Sequence, residues 1–136
     1  MRRIRVAVLS SLLVLAIGVG IAHAGYSTSY YVTFQYGSQY DYASGNLRAA
    51  RTASDMNQYI GCTRYTNLTT GAAPYMLCFA RNSAGNYLSC QTSDPNLMRT
   101  AELINSSSYL YFFGSKFDST CAAITVTNAS YFLPNQ

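Results

Sequence analysis

The chain has 136 residues, with nine basic and five acidic side chains, four cysteines, thirteen tyrosines and one histidine. Three of the arginines and the histidine lie in the first 24 residues, so the remainder carries six basic residues against five acids, a net charge near +1. That balance excludes the basic footprint of a nucleic-acid or anionic-membrane binder, and the lack of histidine excludes most hydrolytic chemistries.

Met1 to Ala24 reads as a secretory signal peptide. Arg2, Arg3 and Arg5 form the basic start, Val6 to Ile21 is an apolar run, and Ala22-His23-Ala24 is a small-x-small cleavage site. The run is short for a membrane span, and no cysteine follows it to take a lipid. The expectation is a bacterial-type leader, cleavage near Gly25, no stable membrane anchor, and a secreted or periplasmic domain of about 112 residues. So small a domain buries only a modest core.

Gly25 to Gly45 holds six tyrosines among Ser, Thr, Gly and Gln. Tyr30, Val32, Phe34 and Tyr36 alternate as one strand. Beyond Gly37 the pattern dissolves and predicts a polar loop. The segment serves either to close a sheet or to dock on a partner or a second copy. Gly45 to Asp55 predicts a connecting loop, with a helical turn as the alternative, and solvated Arg48 and Arg51.

Tyr59 to Cys90 predicts three antiparallel strands in a row. Asn82-Ser83-Ala84-Gly85-Asn86 suits a tight hairpin in which Gly85 takes the left-handed position without a Cβ clash. That register sets Cys78 opposite Cys90. The turn from Asn67 to Ala73 is longer and carries Gly71, with Pro74 where no ladder donor is lost. Symmetric closure there sets Cys62 opposite Cys78. Side chains alternate between faces, so Ile60, Met76, Ala80 and Leu88 join the cysteines on the core side. Tyr59, Tyr65, Tyr75, Leu77, Phe79 and Tyr87 take the other face. Tyr65 then falls across from Tyr75, Phe79 over Gly61, and Arg81 between Tyr59 and Tyr87, where two phenol rings offer a cation–π contact. This face is either the inner surface of a second layer or an exposed aromatic platform for a ligand. Tyr59, Tyr65, Tyr75, Arg81 and Tyr87 are the candidate binding residues.

Ser93-Asp94-Pro95 starts a helix, with Asp94 capping and Pro95 in the first turn. Leu97, Met98, Ala101 and Ile104 form its apolar stripe, and it is expected to end near Asn105. Tyr109 to Phe113 is aromatic on both faces and predicts a central or covered strand. Gly114 to Ser119 turns the chain. Cys121 to Val126 predicts the last strand, with Ala122, Ile124 and Val126 on one face. Asn67, Asn105 and Asn128 sit in glycosylation-acceptor patterns, which are common by chance in so polar a chain.

Four cysteines in a short exported chain imply two disulfides. Zinc is disfavoured, because no Cys-x-x-Cys pair exists and no histidine follows the leader. Cys62–Cys90 spans two strands, about 9–10 Å, beyond bridging distance. Cys62–Cys78 with Cys90–Cys121, and Cys78–Cys90 with Cys62–Cys121, both survive, and the first is preferred. Each bridge contributes roughly 2–4 kcal/mol.

The frame Gln58-Tyr59-Ile60-Gly61-Cys62, Cys78-Phe79-Ala80-Arg81, Gly85, Cys90, Asp94-Pro95 and Cys121 resembles a group of small, secreted, four-cysteine bacterial proteins of unknown function. The resemblance covers roughly Arg48 to Ser130. It implies export and a disulfide-bonded domain, and no site residues.

Without histidine and with every cysteine oxidised, Ser-His-Asp and Cys-His catalysis are closed. No phosphate loop or dinucleotide fingerprint is present, so no cofactor is expected. Two of Asp41, Asp55, Asp94, Glu102 and Asp118 would suffice for a glycosidase pair. But Asp94 is accounted for as a cap, Glu102 as a helix-surface residue and Asp118 as a turn residue, so no enzyme is expected. The fold expectation is α+β and mainly β: an antiparallel sheet or small sandwich of five to six strands, one short helix and two disulfides. Three functions fit: a module binding a glycan or envelope polymer through tyrosines, a self-assembling or structural surface protein, or an inhibitor or accessory partner of a secreted hydrolase acting through a hairpin tip such as Ser83-Ala84-Gly85.

Overall fold

A computed structural model describes residues 28–66, 69 and 71–132. The proposed leader, its cleavage site and Tyr26 lie outside them. Seven strands and two short helices are seen among the described residues: β1 (Thr33–Tyr36), β2 (Tyr40–Asn46), α1 (Leu47–Arg51), β3 (Tyr59–Tyr65), β4 (Tyr75–Arg81), β5 (Tyr87–Thr92), α2 (Pro95–Ala101), β6 (Tyr109–Ser115) and β7 (Cys121–Thr127). A 3-10 turn follows at Ser130–Phe132. The strands form two antiparallel sheets, β1-β2-β6-β7 and β3-β4-β5.

The three-stranded sheet follows from its turns. Gly85 has φ +83° and Gly71 φ +64°, both left-handed. The Asn82 amide donates to the Asn86 carbonyl at 3.1 Å, and the Gly85 amide donates to the Asn82 carbonyl at 2.9 Å. Arg81 is thereby set against Tyr87 and Cys78 against Cys90, while Cys62 lies across from Cys78 on the other side. The bridges are Cys62–Cys78, within this sheet, and Cys90–Cys121, between the sheets. This is the preferred pairing of the two that spacing allowed.

Cys121 reaches the core through a bulge. Phe113 pairs with Ala123 and Gly114 with Cys121, which leaves Ala122 without a cross-strand partner. Strict alternation from buried Ile124 would turn Cys121 outward; the extra residue turns it inward, toward Cys90. Ala122 is exposed, contrary to the expectation that it shares a face with Ile124 and Val126.

The strand after Gly37 corrects the expected loop. The Gly37 amide donates to the Tyr40 carbonyl at 2.9 Å, and β2 returns antiparallel to β1, with Thr33 opposite Ser44 and Tyr36 opposite Asp41. Its pattern is inverted, which is why it reads as a loop. The core side carries Asp41, Ala43 and Gly45, while Tyr40 and Tyr42 face out. Small residues are required there because the chain entering β1 passes close: a Cβ on Gly45 would stand 3.1 Å from Val32 Cα.

Helix α1 replaces the second expected loop. Asn46 accepts from the Ala49 amide at 2.9 Å, and its Nδ2 donates to the Ser107 carbonyl at 3.0 Å. The run Leu47-Arg48-Ala49-Ala50-Arg51 then consists of strong helix formers. In α2, Asp94 accepts from the Asn96 and Leu97 amides at 2.8 and 3.0 Å, as a cap should. This helix stops at Ala101, short of Asn105, as the Leu103 and Ile104 amides tighten onto the Thr100 and Ala101 carbonyls. Met98 on its stripe is buried.

Phe112, Leu110 and Ile124 from the larger sheet pack on Met76, Cys78, Ala80 and Cys90 from the smaller one, with Met98 and Ala101 closing one end. The sheets also meet at a corner, where the Gln91 amide donates to the Ser119 carbonyl at 2.9 Å. The described residues thus form a small two-sheet domain of seven strands, one more than the upper expectation because β2 counts. Asn105 and Asn128 of the acceptor patterns are engaged internally. Asn105 accepts from the Ser107 amide at 2.9 Å, and Asn128 donates to the Leu103 carbonyl at 3.1 Å. Asn67 of the third pattern lies outside the described residues.

Candidate functional site

The outer face of β3-β4-β5 is not covered by any other described element. Tyr59, Tyr65, Tyr75 and Tyr87 are 40%, 43%, 39% and 55% exposed, and Leu77 and Phe79 between them are half-buried. The face is therefore an outer surface and not the inner surface of a second layer. Its rows follow the register: Tyr59, Arg81 and Tyr87 across one end, Tyr65 and Tyr75 across the other. Six residues along β3 separate the ends, about 20 Å at a strand's rise.

The two ends differ. Tyr65 and Tyr75 stack with centroids 4.9 Å apart and planes at 14°, so each ring already shields one face of the other. Tyr59 meets Phe79 edge to face at 6.0 Å. Phe79 in turn lies over Gly61, its ring 3.8 Å from where a Cβ would sit. Tyr87 keeps its ring free of other rings among the described residues. Arg81 holds its register between Tyr59 and Tyr87, but its Nε donates to the Gly85 carbonyl at 3.2 Å. The hairpin turn, and not a phenol ring, fixes its guanidinium.

Two grooves flank this face. One, of about 460 Å³, lies beside α2 and is lined by Arg64, Pro74, Ser93, Met98, Arg99 and Glu102. Arg64 and Glu102 form an ion pair across it. The other, of about 430 Å³, lies beside α1 and is lined by Leu47, Arg51, Gln58, Tyr59 and Ser106, among others.

A second aromatic surface was hidden by the loop expected after Gly37. On the outer face of β2 and β6, Tyr42 packs on Phe113 with centroids 5.1 Å apart and on Tyr111 at 6.2 Å, and Tyr40 meets Phe113 at 5.4 Å. Tyr109 continues the row, stacked on Phe132 at 5.5 Å. Burial, then the nearby Tyr42 and Tyr109, push the Tyr111 hydroxyl's pKa up. Phe132 is buried, and the other rings are half-buried against one another. Tyr109 to Phe113 is central, as its two-sided aromatic pattern predicts. The missed signal was Tyr40 and Tyr42 at the same two-residue spacing as Tyr109, Tyr111 and Phe113.

Each carboxylate has partners of its own. Asp94 caps α2. Asp118 accepts from the Thr120 amide at 3.1 Å and hydroxyl at 2.8 Å, and these bonds, the amide first, lower its pKa. Asp55 accepts from Gln58 Nε2 at 2.6 Å and from the Asn57 amide at 2.8 Å, which lowers its pKa in that order of importance. Asp41 pairs with Lys116 at 3.2 Å. Among the described residues no three His, Cys, Asp or Glu side chains converge as a metal site.

No family model, no curated protein and no solved structure matches this chain. The site is therefore read from its own residues.

Proposed function

We propose that the chain is an exported, non-enzymatic domain that binds a glycan or cell-envelope polymer on the tyrosine face of β3-β4-β5. The observation that carries this reading is the exposure of Tyr59, Tyr65, Tyr75 and Tyr87, between 39% and 55%, at both ends of one sheet face. Tyrosine combines a broad apolar ring with a hydroxyl at low entropic cost, which suits stacking on sugar rings. Leu77 and Phe79 lie between the ends on β4, flanked by Gly61 and Thr63 on β3 and by Ser89 and Gln91 on β5, so a polymer laid along the strands meets an uncharged surface between the ends. Export is supported by the leader pattern, and the two disulfides are consistent with an extracytoplasmic protein.

The test is co-sedimentation of the oxidised domain with insoluble glycans and envelope fractions. Retention by one polymer, weakened by Tyr59→Ala, Tyr75→Ala or Tyr87→Ala in folded protein, is the expected result. Retention unchanged across all three variants ends the reading.

Self-assembly is the second reading. It rests on β7, which among the described residues pairs only with β6 and carries no charged residue from Cys121 to Thr127. An edge so free of charge lacks the usual guard against strand addition. Pelleting of the protein without any polymer is its signature.

A further inference from the structure

Resting on the binding reading above, we infer that the polymer is acidic, its sugar rings on the tyrosines and its carboxylate or phosphate groups on arginines at the rim. The observation is an imbalance in how the charges of the domain are used. The described ion pairs are Arg64 with Glu102 and Lys116 with Asp41. Asp94, Asp118 and Asp55 are occupied by backbone amides and nearby side chains. Asp55 is the acid nearest Arg51 in sequence, and both its oxygens are taken, Oδ1 by the Asn57 and Gln58 amides and Oδ2 by the Gln58 side chain.

Arg48, Arg51, Arg81 and Arg99 are left without a carboxylate partner among the described residues; Arg48 is half-buried and the other three are exposed. Arg81 and Arg51 border the tyrosine face, and Arg99 stands in the groove beside α2. Arg81 is the cross-strand neighbour of both Tyr59 and Tyr87. Arg51 lines the same groove as Tyr59. Arg99 lines the groove beside α2, and Ser93, which shares that groove, also lines a depression with Tyr75. The bond from Arg81 Nε to Gly85 holds the guanidinium in place and leaves its two amino groups for a ligand.

The charge pattern selects among occupants. A second copy of the chain presents the same engaged acids and so offers no complement to three free guanidinium groups. A nucleic acid calls for a dense basic track, whereas these arginines are few, spread along the rim, and set in a domain of net charge near +1. An acidic polysaccharide carries one anion every sugar or two and matches sparse arginines between stacking rings.

The test measures binding of the oxidised protein to polygalacturonate and to the same polymer fully methyl-esterified, which removes charge and keeps the backbone. A phosphate-bearing teichoic acid and single-stranded oligo-dT are run beside them. The expected result is at least about tenfold tighter binding of an acidic glycan than of the methyl ester at low salt, lost between about 0.15 M and about 0.5 M salt. The carboxylate and phosphate arms tell which anion is preferred. Arg51→Gln/Arg81→Gln/Arg99→Gln should abolish the preference while leaving thermal stability unchanged. Equal binding of acid and ester overturns the inference and leaves the glycan reading standing, as does binding to neutral insoluble glycan alone. Failure to bind any glycan overturns both, and tighter binding of oligo-dT than of either acidic glycan overturns the acidic-glycan assignment.

Discussion

Gly114 on β6 and Cys90 on β5 approach so closely that a Cβ at position 114 would stand 2.7 Å from Cys90 Cβ. This contact is where the two sheets lean together, and it lies beside the bulge that brings Cys121 inward. Gly114→Ala should therefore push the sheets apart or displace the bridge, costing about 1–3 kcal/mol. Chemical denaturation of the oxidised variant checks this. A midpoint equal to that of the parent would mean that the corner yields freely.

The two disulfides should differ in their effect. Cys90–Cys121 closes a sequence separation of 31 and Cys62–Cys78 one of 16, so loop entropy alone favours the former by about 0.6 kcal/mol. The longer bridge also ties separate sheets, whereas the shorter one staples strands already paired along their length. Replacing Cys90 and Cys121 by Ala is expected to lower stability more than replacing Cys62 and Cys78, each loss falling at roughly 2–4 kcal/mol. Equal losses in urea melts would show that the sheets hold together without the link.

These residues also show what the chain displays of itself in one dimension. The meander was legible because Gly85 marks its tightest turn and each strand alternates around a cysteine, so register and the faces of Tyr59 to Tyr87 followed and the disulfides came down to two pairings. The rest was written against the usual pattern. In β2 the tyrosines face out and Ala43 and Gly45 face in, since Val32 passes too close for larger side chains. The Ala122 bulge shifts a strand by one residue and leaves no compositional mark. Whether the Tyr59–Tyr87 face was covered depended on where the second sheet packs, a non-local fact. The candidate residues were thus visible in sequence, and their exposure was not.

Acid should loosen the join between β1 and β3. Asp55 holds Gln58 by its Nε2, and Gln58 Oε1 accepts from the Val32 amide at 2.8 Å, which links the start of β1 to the start of β3. The Asp55 pKa in the fold lies below 3.8, its ordinary value. A depressed carboxylate contributes stability that is fully present above its unfolded pKa and is lost as pH falls through the folded one. Melting temperature should therefore hold steady above about pH 5 and fall below about pH 4, with a shallower fall in Asp55→Asn. Identical acid limbs in parent and variant would assign the loss to other carboxylates, Asp118 first.

The two aromatic faces should respond oppositely to truncation. Tyr42 and Tyr111 lie in a half-buried, mutually packed row, and losing either leaves neighbouring rings without contacts. Tyr42→Ala or Tyr111→Ala should cost about 2–4 kcal/mol, from lost area and lost ring pairing together. Tyr87, 55% exposed and without a ring partner among the described residues, should cost under about 1 kcal/mol. Tyr65 and Tyr75 fall between, and a double-mutant cycle should return a coupling of about 0.5–1.5 kcal/mol for their stacked pair. Denaturant midpoints of the single and double variants give all of these values. Should Tyr87→Ala prove as costly as Tyr42→Ala, the outer face of β3-β4-β5 would be structural, and a ligand surface there would lose its physical basis. A small cost at Tyr87 with a large one at Tyr42 leaves a sheet face with exposed rings that stability does not require.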